Sequence, residues 1–203
     1  MKIFSSPTSP FARKVHVTAA ILGISDRIEI VDTATTPVDT DEALAAANPL
    51  GKLPALVTDD GDTLYDSRVI CEYLVSLADD DNLLPAAGAA RWAALCQQTL
   101  ADGLMEAAIL RRYEVVLRPE DKRSTEWDEA QREKIERTLD AFESGTDDLA
   151  DEPTSGTIAI GCALGYLDLR FGDEGWRQDH PKLAEWYEAW AQLPAMQATH
   201  IPA

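Results

Sequence analysis

Near the amino end two hydroxyls stand side by side, Thr8 and Ser9, in the run Ser6-Pro7-Thr8-Ser9-Pro10-Phe11-Ala12-Arg13-Lys14-Val15. Ser9 precedes a proline and then a helical pattern, the setting of an N-cap. A helix N-terminus also carries about half a unit of positive charge, which favours an anion. A hydroxyl donor at such a place can stabilise a bound anion without acting as a nucleophile. Cap and donor use the same oxygen, so spacing leaves both roles open, with Thr8 as the second candidate donor. Asp66-Ser67 opens a further helical pattern, where Ser67 reads as the cap. Lys52, the only cation between residues 28 and 67, is either a solvated surface lysine or the counter-charge for an anionic ligand. Pro54 reads most simply as the start of a strand.

Other chemistries lack their residues. Cys71, Cys96 and Cys162 are far apart, odd in number and set at apolar helical positions. That makes them core residues rather than a disulfide framework or a zinc site. His16, His180 and His200 are scattered without metal-ligand spacing, so no metal is expected. A reducing cytoplasm is the expected compartment. The 203 residues carry 36 Asp and Glu against 18 Lys and Arg, a formal net charge of −18. Such a surface repels phosphate backbones and anionic lipid, so neither nucleic acid nor membrane is an expected partner. A hydrophobic share of 45% rules out intrinsic disorder. No apolar run approaches the roughly 18 residues of a membrane span, and Met1-Lys2-Ile3-Phe4-Ser5 does not open a secretory signal.

The elements that position these residues follow two patterns. In the first 80 residues, Lys2–Ser5 and Ile28–Val31 alternate polar with apolar residues, as strands do. Between them Phe11–Leu22 is a helix, started by Ser9-Pro10 and ended by Gly23. Asp39–Ala47 is a short helix that stops before Pro49. Ala55–Thr58 and Thr63–Tyr65 form a hairpin around Asp59-Asp60-Gly61-Asp62, and Ser67–Leu77 is an amphipathic helix. The order is β-α-β-α-β-β-α. Beyond Pro85 only helices follow: Ala86–Leu117, a segment capped by Ser124 and reaching Phe142, Thr157–Phe171 and Pro181–Gln192. The third of these is almost entirely apolar and must be buried on most sides. Asp79-Asp80-Asp81-Asn82 belongs to no core and marks a linker over 79–85.

Three motifs in this order carry a resemblance. The Ser6–Val15 run resembles the first strand-to-helix turn of the glutathione S-transferases. Asn48-Pro49-Leu50-Gly51-Lys52-Leu53-Pro54-Ala55-Leu56 resembles that family's segment leading into a cis-proline, and Leu64-Tyr65-Asp66-Ser67-Arg68-Val69-Ile70-Cys71-Glu72-Tyr73-Leu74 its acidic-Ser glutathione motif. The similarity is closer to the serine-type bacterial and plant-like classes than to the tyrosine classes. It implies an α/β thioredoxin-like N-terminal domain (1–78), the linker, and an all-α C-terminal domain (86–203), the glutathione S-transferase fold. It also implies glutathione as co-substrate, bound by Ser9, Phe11, Lys52, Leu53, Pro54, Asp66 and Ser67, with Ser9 or Thr8 as the activating hydroxyl. In that family the Leu53 main chain pairs with the cysteinyl backbone of glutathione across a cis Leu53-Pro54 bond. Ser67 and Asp66 hold the γ-glutamyl end, and Lys52 is the candidate for the glycine carboxylate.

The implied activity is conjugation of glutathione to an apolar electrophile between the domains, in a pocket that includes Met105, Ile109, Arg112 and Tyr113 of the long helix. A homodimer is implied, with Arg68 and Tyr73 on the helix that faces the partner subunit. A family-like binding protein without turnover is the second possibility. A glutathione-dependent thiol oxidoreductase is the third, disfavoured because Ser9 stands where that branch carries cysteine. One departure concerns the core helix, which in the family begins with a Ser/Thr-x-x-Asp capping box. Here Thr157-Ile158-Ala159-Ile160 offers no carboxylate, which predicts a lost reciprocal bond.

Overall fold

The computed structural model describes residues 1–78, 82–150 and 152–200. The chain forms two compact units, Met1–Arg91 together with the C-terminal helix, and Trp92–Leu193.

In the first unit, β1 (Lys2–Ser5) buries Ile3 and Ser5 on one face, as the alternation requires. Helix α1 (Pro10–Ile21) follows, with Pro10 in its first turn and Ser9 as its N-cap. Gly23 ends it at φ 68°, and the Ile24 N–H returns to the Ala19 carbonyl over 3.0 Å. That left-handed turn is the one a glycine permits without strain. Strand β2 (Glu29–Asp32) pairs parallel with β1 after this crossover. Helix α2 (Glu42–Ala47) is capped by the Asp41 carboxylate on the Leu44 N–H. Strands β3 (Ala55–Val57) and β4 (Thr63–Leu64) complete a mixed sheet in the order β2-β1-β3-β4, and α3 (Ser67–Ala78) packs beside α1. Ile3, Val15, Ala19, Ile28, Leu56, Ile70 and Leu74 close the core between sheet and helices. This is the thioredoxin-like domain that the sequence leads one to expect.

The second unit is helical: α4 (Gly88–Val116, beginning in the first unit), α5 (Thr125–Ser144), α6 (Ser155–Phe171), α7 (Trp176–Asp179) and α8 (Pro181–Trp190). The last helix, α9 (Pro194–Ala198), returns to the first unit, where the buried Arg13 donates to the Met196 carbonyl over 3.2 Å. Helix α6 is buried along most of its length, because Ile158, Ile160, Cys162, Leu164 and Leu167 leave it no polar face. Gly156 lets it approach α4 closely. A Cβ there would stand 2.9 Å from the Ala94 carbonyl oxygen and 2.8 Å from the Gln97 Cβ. Ser124 caps α5 as expected. Helix α8 is started from another element, since the Glu143 carboxylate of α5 accepts the N–H groups of Lys182 and Leu183.

Several sequence expectations need correction. The cap of α6 lies three residues earlier than expected: Thr154 and Thr157 exchange reciprocal bonds, Thr157 N–H to Thr154 Oγ1 at 3.1 Å and Thr154 N–H to Thr157 Oγ1 at 2.8 Å. No bond is lost, because a threonine hydroxyl accepts where the family's carboxylate would. Cys71 and Cys162 are buried, but Cys96 is exposed, turned away from the face of α4 that buries Ala94, Gln98 and Ala101. Of the expected linker, residues 79–81 lie outside the described residues, whereas Leu83 and Leu84 are buried.

Candidate active site

Sheet register brings the three motifs together. Strand β3 runs antiparallel to β1 with Phe4 opposite Ala55, and β4 antiparallel to β3 with Leu56 opposite Leu64. The carboxyl end of β1, the amino end of β3 and the carboxyl end of β4 therefore share one edge of the sheet. The Ser9 turn, Leu53-Pro54 and Asp66-Ser67 all extend from that edge.

Ser9 sits in an extended conformation at the head of α1, its N–H donating to the Ser6 carbonyl over 3.0 Å. Its Oγ accepts the Ala12 N–H at 3.2 Å. The oxygen is thus held by the helix while the hydroxyl proton has no acceptor among the described residues. Cap and donor are compatible: one uses a lone pair, the other the O–H. Thr8 is exposed, and its Oγ1 lies 3.4 Å from the Ser6 hydroxyl.

The turn before β3 is organised by a residue whose role spacing did not reveal. Asn48 is almost fully buried, donates to the Lys52 carbonyl at 2.8 Å and accepts the Leu50 N–H at 3.1 Å. Gly51 turns at φ 60°, with Thr40 packed where a side chain would stand. The Leu53–Pro54 bond is cis. The Leu53 N–H and C=O make no hydrogen bond with the described residues, so both are available to a partner. Lys52 is exposed and without an ion pair among the described residues.

At the third motif the cap is Asp66, not Ser67. The Asp66 carboxylate accepts the Arg68 N–H at 2.9 Å and its guanidinium at 3.3 Å, and its carbonyl accepts from Ile70. The Tyr65–Asp66 bond is also cis. Helix α3 starts one residue earlier than a Ser67 cap allows, which leaves the Ser67 hydroxyl without a partner among the described residues. Burial pushes the Asp66 carboxyl up, but the bonds from Arg68 and the charges of Arg68 and Lys14 more than reverse this, so it titrates below the ordinary range. Lys14 went unnoticed in the sequence. It is 1% exposed, its Nζ lies 5.9 Å from the Phe11 ring, and its charge reaches Asp66. A cation three residues after Phe11, on the same helix face, was the available signal.

On α4, Met105, Ile109, Arg112 and Tyr113 fall on one stripe at helical spacing. Met105 is fully buried in the helical core, and the other three are half-buried. Burial raises the Tyr113 phenol above its ordinary pKa.

Two profile matches cover most of the chain: "Glutathione S-transferase, N-terminal domain" over residues 8–77 and "Glutathione S-transferase, C-terminal domain" over residues 89–189. The chain belongs to the glutathione S-transferase family. It is 36% identical to the uncharacterized GST-like protein YibF of Escherichia coli K12, across 93% of this chain and 92% of that one. Among solved structures, a glutathione transferase family member from Pseudomonas fluorescens Pf-5, with bound glutathione, superposes with a TM-score of 0.97 at 44% identity, covering 100% of this chain and 99% of that one. A glutathione S-transferase from Methylobacillus flagellatus, also with glutathione bound, gives 0.88 at 36% identity over 99% of both chains. The site edge thus belongs to the domain that the family's N-terminal profile spans.

Proposed function

We propose that this family member is a glutathione transferase: residues 1–78 bind glutathione, and residues 86–203 supply the pocket for an apolar electrophile. The observation that carries the proposal is the Ser9 oxygen, fixed by the Ala12 N–H with its own O–H undirected, at the N-terminus of a 12-residue helix. A thiolate at that point receives one charge-assisted hydrogen bond and the helix partial charge. Its sulfur then attacks the electrophilic carbon: the C–S bond forms, the leaving group departs with its electron pair, and the thiol proton has already gone to solvent. Catalysis comes from thiolate stabilisation and proximity.

Leu53 N–H and C=O suit the cysteinyl backbone of glutathione, Phe11 and Pro54 frame it, Asp66 and Ser67 suit its γ-glutamyl end, and Lys52 suits its glycine carboxylate. Lys14 adds positive charge beside Asp66. The three free cysteines suit a reducing cytoplasm, where conjugation would serve detoxification. Retention on immobilised glutathione together with conjugation of an aryl chloride supports the proposal. Retention without turnover identifies a binding protein instead, and disulfide reduction an oxidoreductase.

Because Ser67 caps nothing, Ser67→Ala separates affinity from stability. The variant is expected to lose about 1.5–3 kcal/mol of glutathione binding, one hydrogen bond to a charged group, with little change in unfolding midpoint. Calorimetry giving an unchanged Kd would remove Ser67 from the site.

The protein is also proposed to be a homodimer. Val69 and Tyr65 expose 47% and 37% of their surface beside the Asp66–Arg68 pair, whereas Tyr73, expected to face the partner, packs against the protein's own core. Light scattering is expected to give twice the 22.2 kDa chain mass. A mass that stays at one chain at micromolar concentration would overturn this.

A further inference from the structure

Arginines of the helical unit divide by partner. Six of the eight are held, five by carboxylates and Arg123 by the Arg118 and Val115 carbonyls. Arg112 and Arg170 differ, and Arg170 meets the Tyr166 phenol on its own helix. Neither has a carboxylate within ion-pair distance among the described residues, in a chain whose net charge is −18. The Nε of Arg170 is buried without a hydrogen-bond partner among the described residues.

Two contacts fix how the helices that carry these arginines run. Gly156 of α6 meets Gln97 of α4, and Phe171 lies 4.6 Å under the Arg111 guanidinium. Gly156 also meets Ala94, so the offsets are 59 to 62 at one end and 171 − 111 = 60 at the other. The two helices therefore run parallel with an offset near 60 residues, which puts Arg170 level with the α4 turn around Arg111 and Arg112. Tyr166, one turn before Arg170 on α6, is 6% exposed. Burial pushes its phenol up, a side-chain hydrogen bond and the charge of Arg170 together with the charge of Arg112 pull it down, and Tyr113 adds to the rise.

We infer that Arg112 and Arg170, flanked by Tyr113 and Tyr166, form an anion-recognition cluster that takes a carboxylate on the electrophilic substrate. A guanidinium fork matches a carboxylate in two parallel hydrogen bonds. The phenols supply further donors, and their rings supply apolar surface for an aryl body. The substrate class is an aryl or alkyl acid with a displaceable group. Calling the ligand a substrate rests on the transferase proposal above; the anion site itself does not.

The full chain is titrated calorimetrically with benzoate and with benzamide, for wild type, Arg112→Gln, Arg170→Gln and Arg112→Lys. Glutathione conjugation of 4-chloro-3-nitrobenzoate and of its amide is followed in parallel, each divided by its uncatalysed rate. In both substrates the C–S bond forms as chloride leaves with the C–Cl electron pair. The expected result is a preference of about tenfold or more for the acid in both assays. Each Gln variant should lose about tenfold of that preference, and Arg112→Lys should keep part of it. Glutathione affinity measured on the same samples reports a folded chain. Equal binding of acid and amide, no binding of either, or an acid preference that survives both Gln variants overturns the cluster. Conjugation without acid preference overturns the cluster and leaves the transferase proposal standing. Arginine-dependent benzoate binding without conjugation does the reverse.

Discussion

Ser9→Ala is expected to slow glutathione conjugation at neutral pH by about ten- to a hundred-fold while glutathione affinity changes little. In the proposed complex the hydroxyl donates only to the thiolate, so its loss raises the pKa of bound glutathione. One charge-assisted bond accounts for roughly one to two pKa units, at about 1.4 kcal/mol per unit. Because Ser9 Oγ also accepts the Ala12 N–H, the variant loses about 1 kcal/mol of helix capping as well. The deciding measurement is thiolate absorbance of bound glutathione against pH, for wild type and variant. Coincident titration curves would leave Ser9 as a cap and pass the activating role to Thr8 or a main-chain amide. Ser9→Cys should instead gain thiol-disulfide activity, since the same helix terminus favours a thiolate.

The second large effect concerns stability. Arg111 is 7% exposed, bonds Asp128 at 3.0 Å and Glu174 at 2.7 Å, and lies over the Phe171 ring, which ties α4 to α5 and to the turn after α6. Burial lowers its pKa, and the two carboxylates more than reverse that. Arg111→Met would remove the cation and keep the stem. Breaking a fully buried pair costs about 3–5 kcal/mol, but Asp128 and Glu174 keep 32% and 42% side-chain exposure and so retain water. The expected loss is about 2–3 kcal/mol, read as a lower midpoint in urea unfolding. Arg111→Lys should recover only part, because an ammonium cannot bond two carboxylates in parallel pairs. An unchanged midpoint for Arg111→Met would show that the network contributes nothing net.

Much of the candidate site was legible because its signals are local. Ser9-Pro10 and Gly23 announce the ends of α1 through a cap, a fixed φ and a left-handed turn, each a property of one or two residues. The β-α-β-α-β-β-α order followed from hydrophobic period, and an apolar α6 from its composition. Where two neighbouring residues compete for one role, local signals stop being enough. Asp66 and Ser67 are both good caps, and so are Thr154 and Thr157. The choice went to the residue whose side chain meets an N–H once the preceding strand or loop has fixed the entry of the chain.

The sequence by itself determined the two-domain grammar, the helix that presents Ser9 and the three motifs of the candidate site, because each depends on contacts within a few residues. Only the tertiary structure decided that Cys96 faces outward, that Asn48 organises the Leu53-Pro54 turn, and that Lys14 is buried near Asp66. It also decided which arginines find carboxylates, pairing Arg111 with Asp128 and Glu174 and leaving Arg112 next to it without one among the described residues. Adjacent residues on a helix point about 100° apart, so neighbours in sequence enter different surroundings. What those surroundings hold comes from helices 50 to 60 residues away, and spacing along one element carries no record of them.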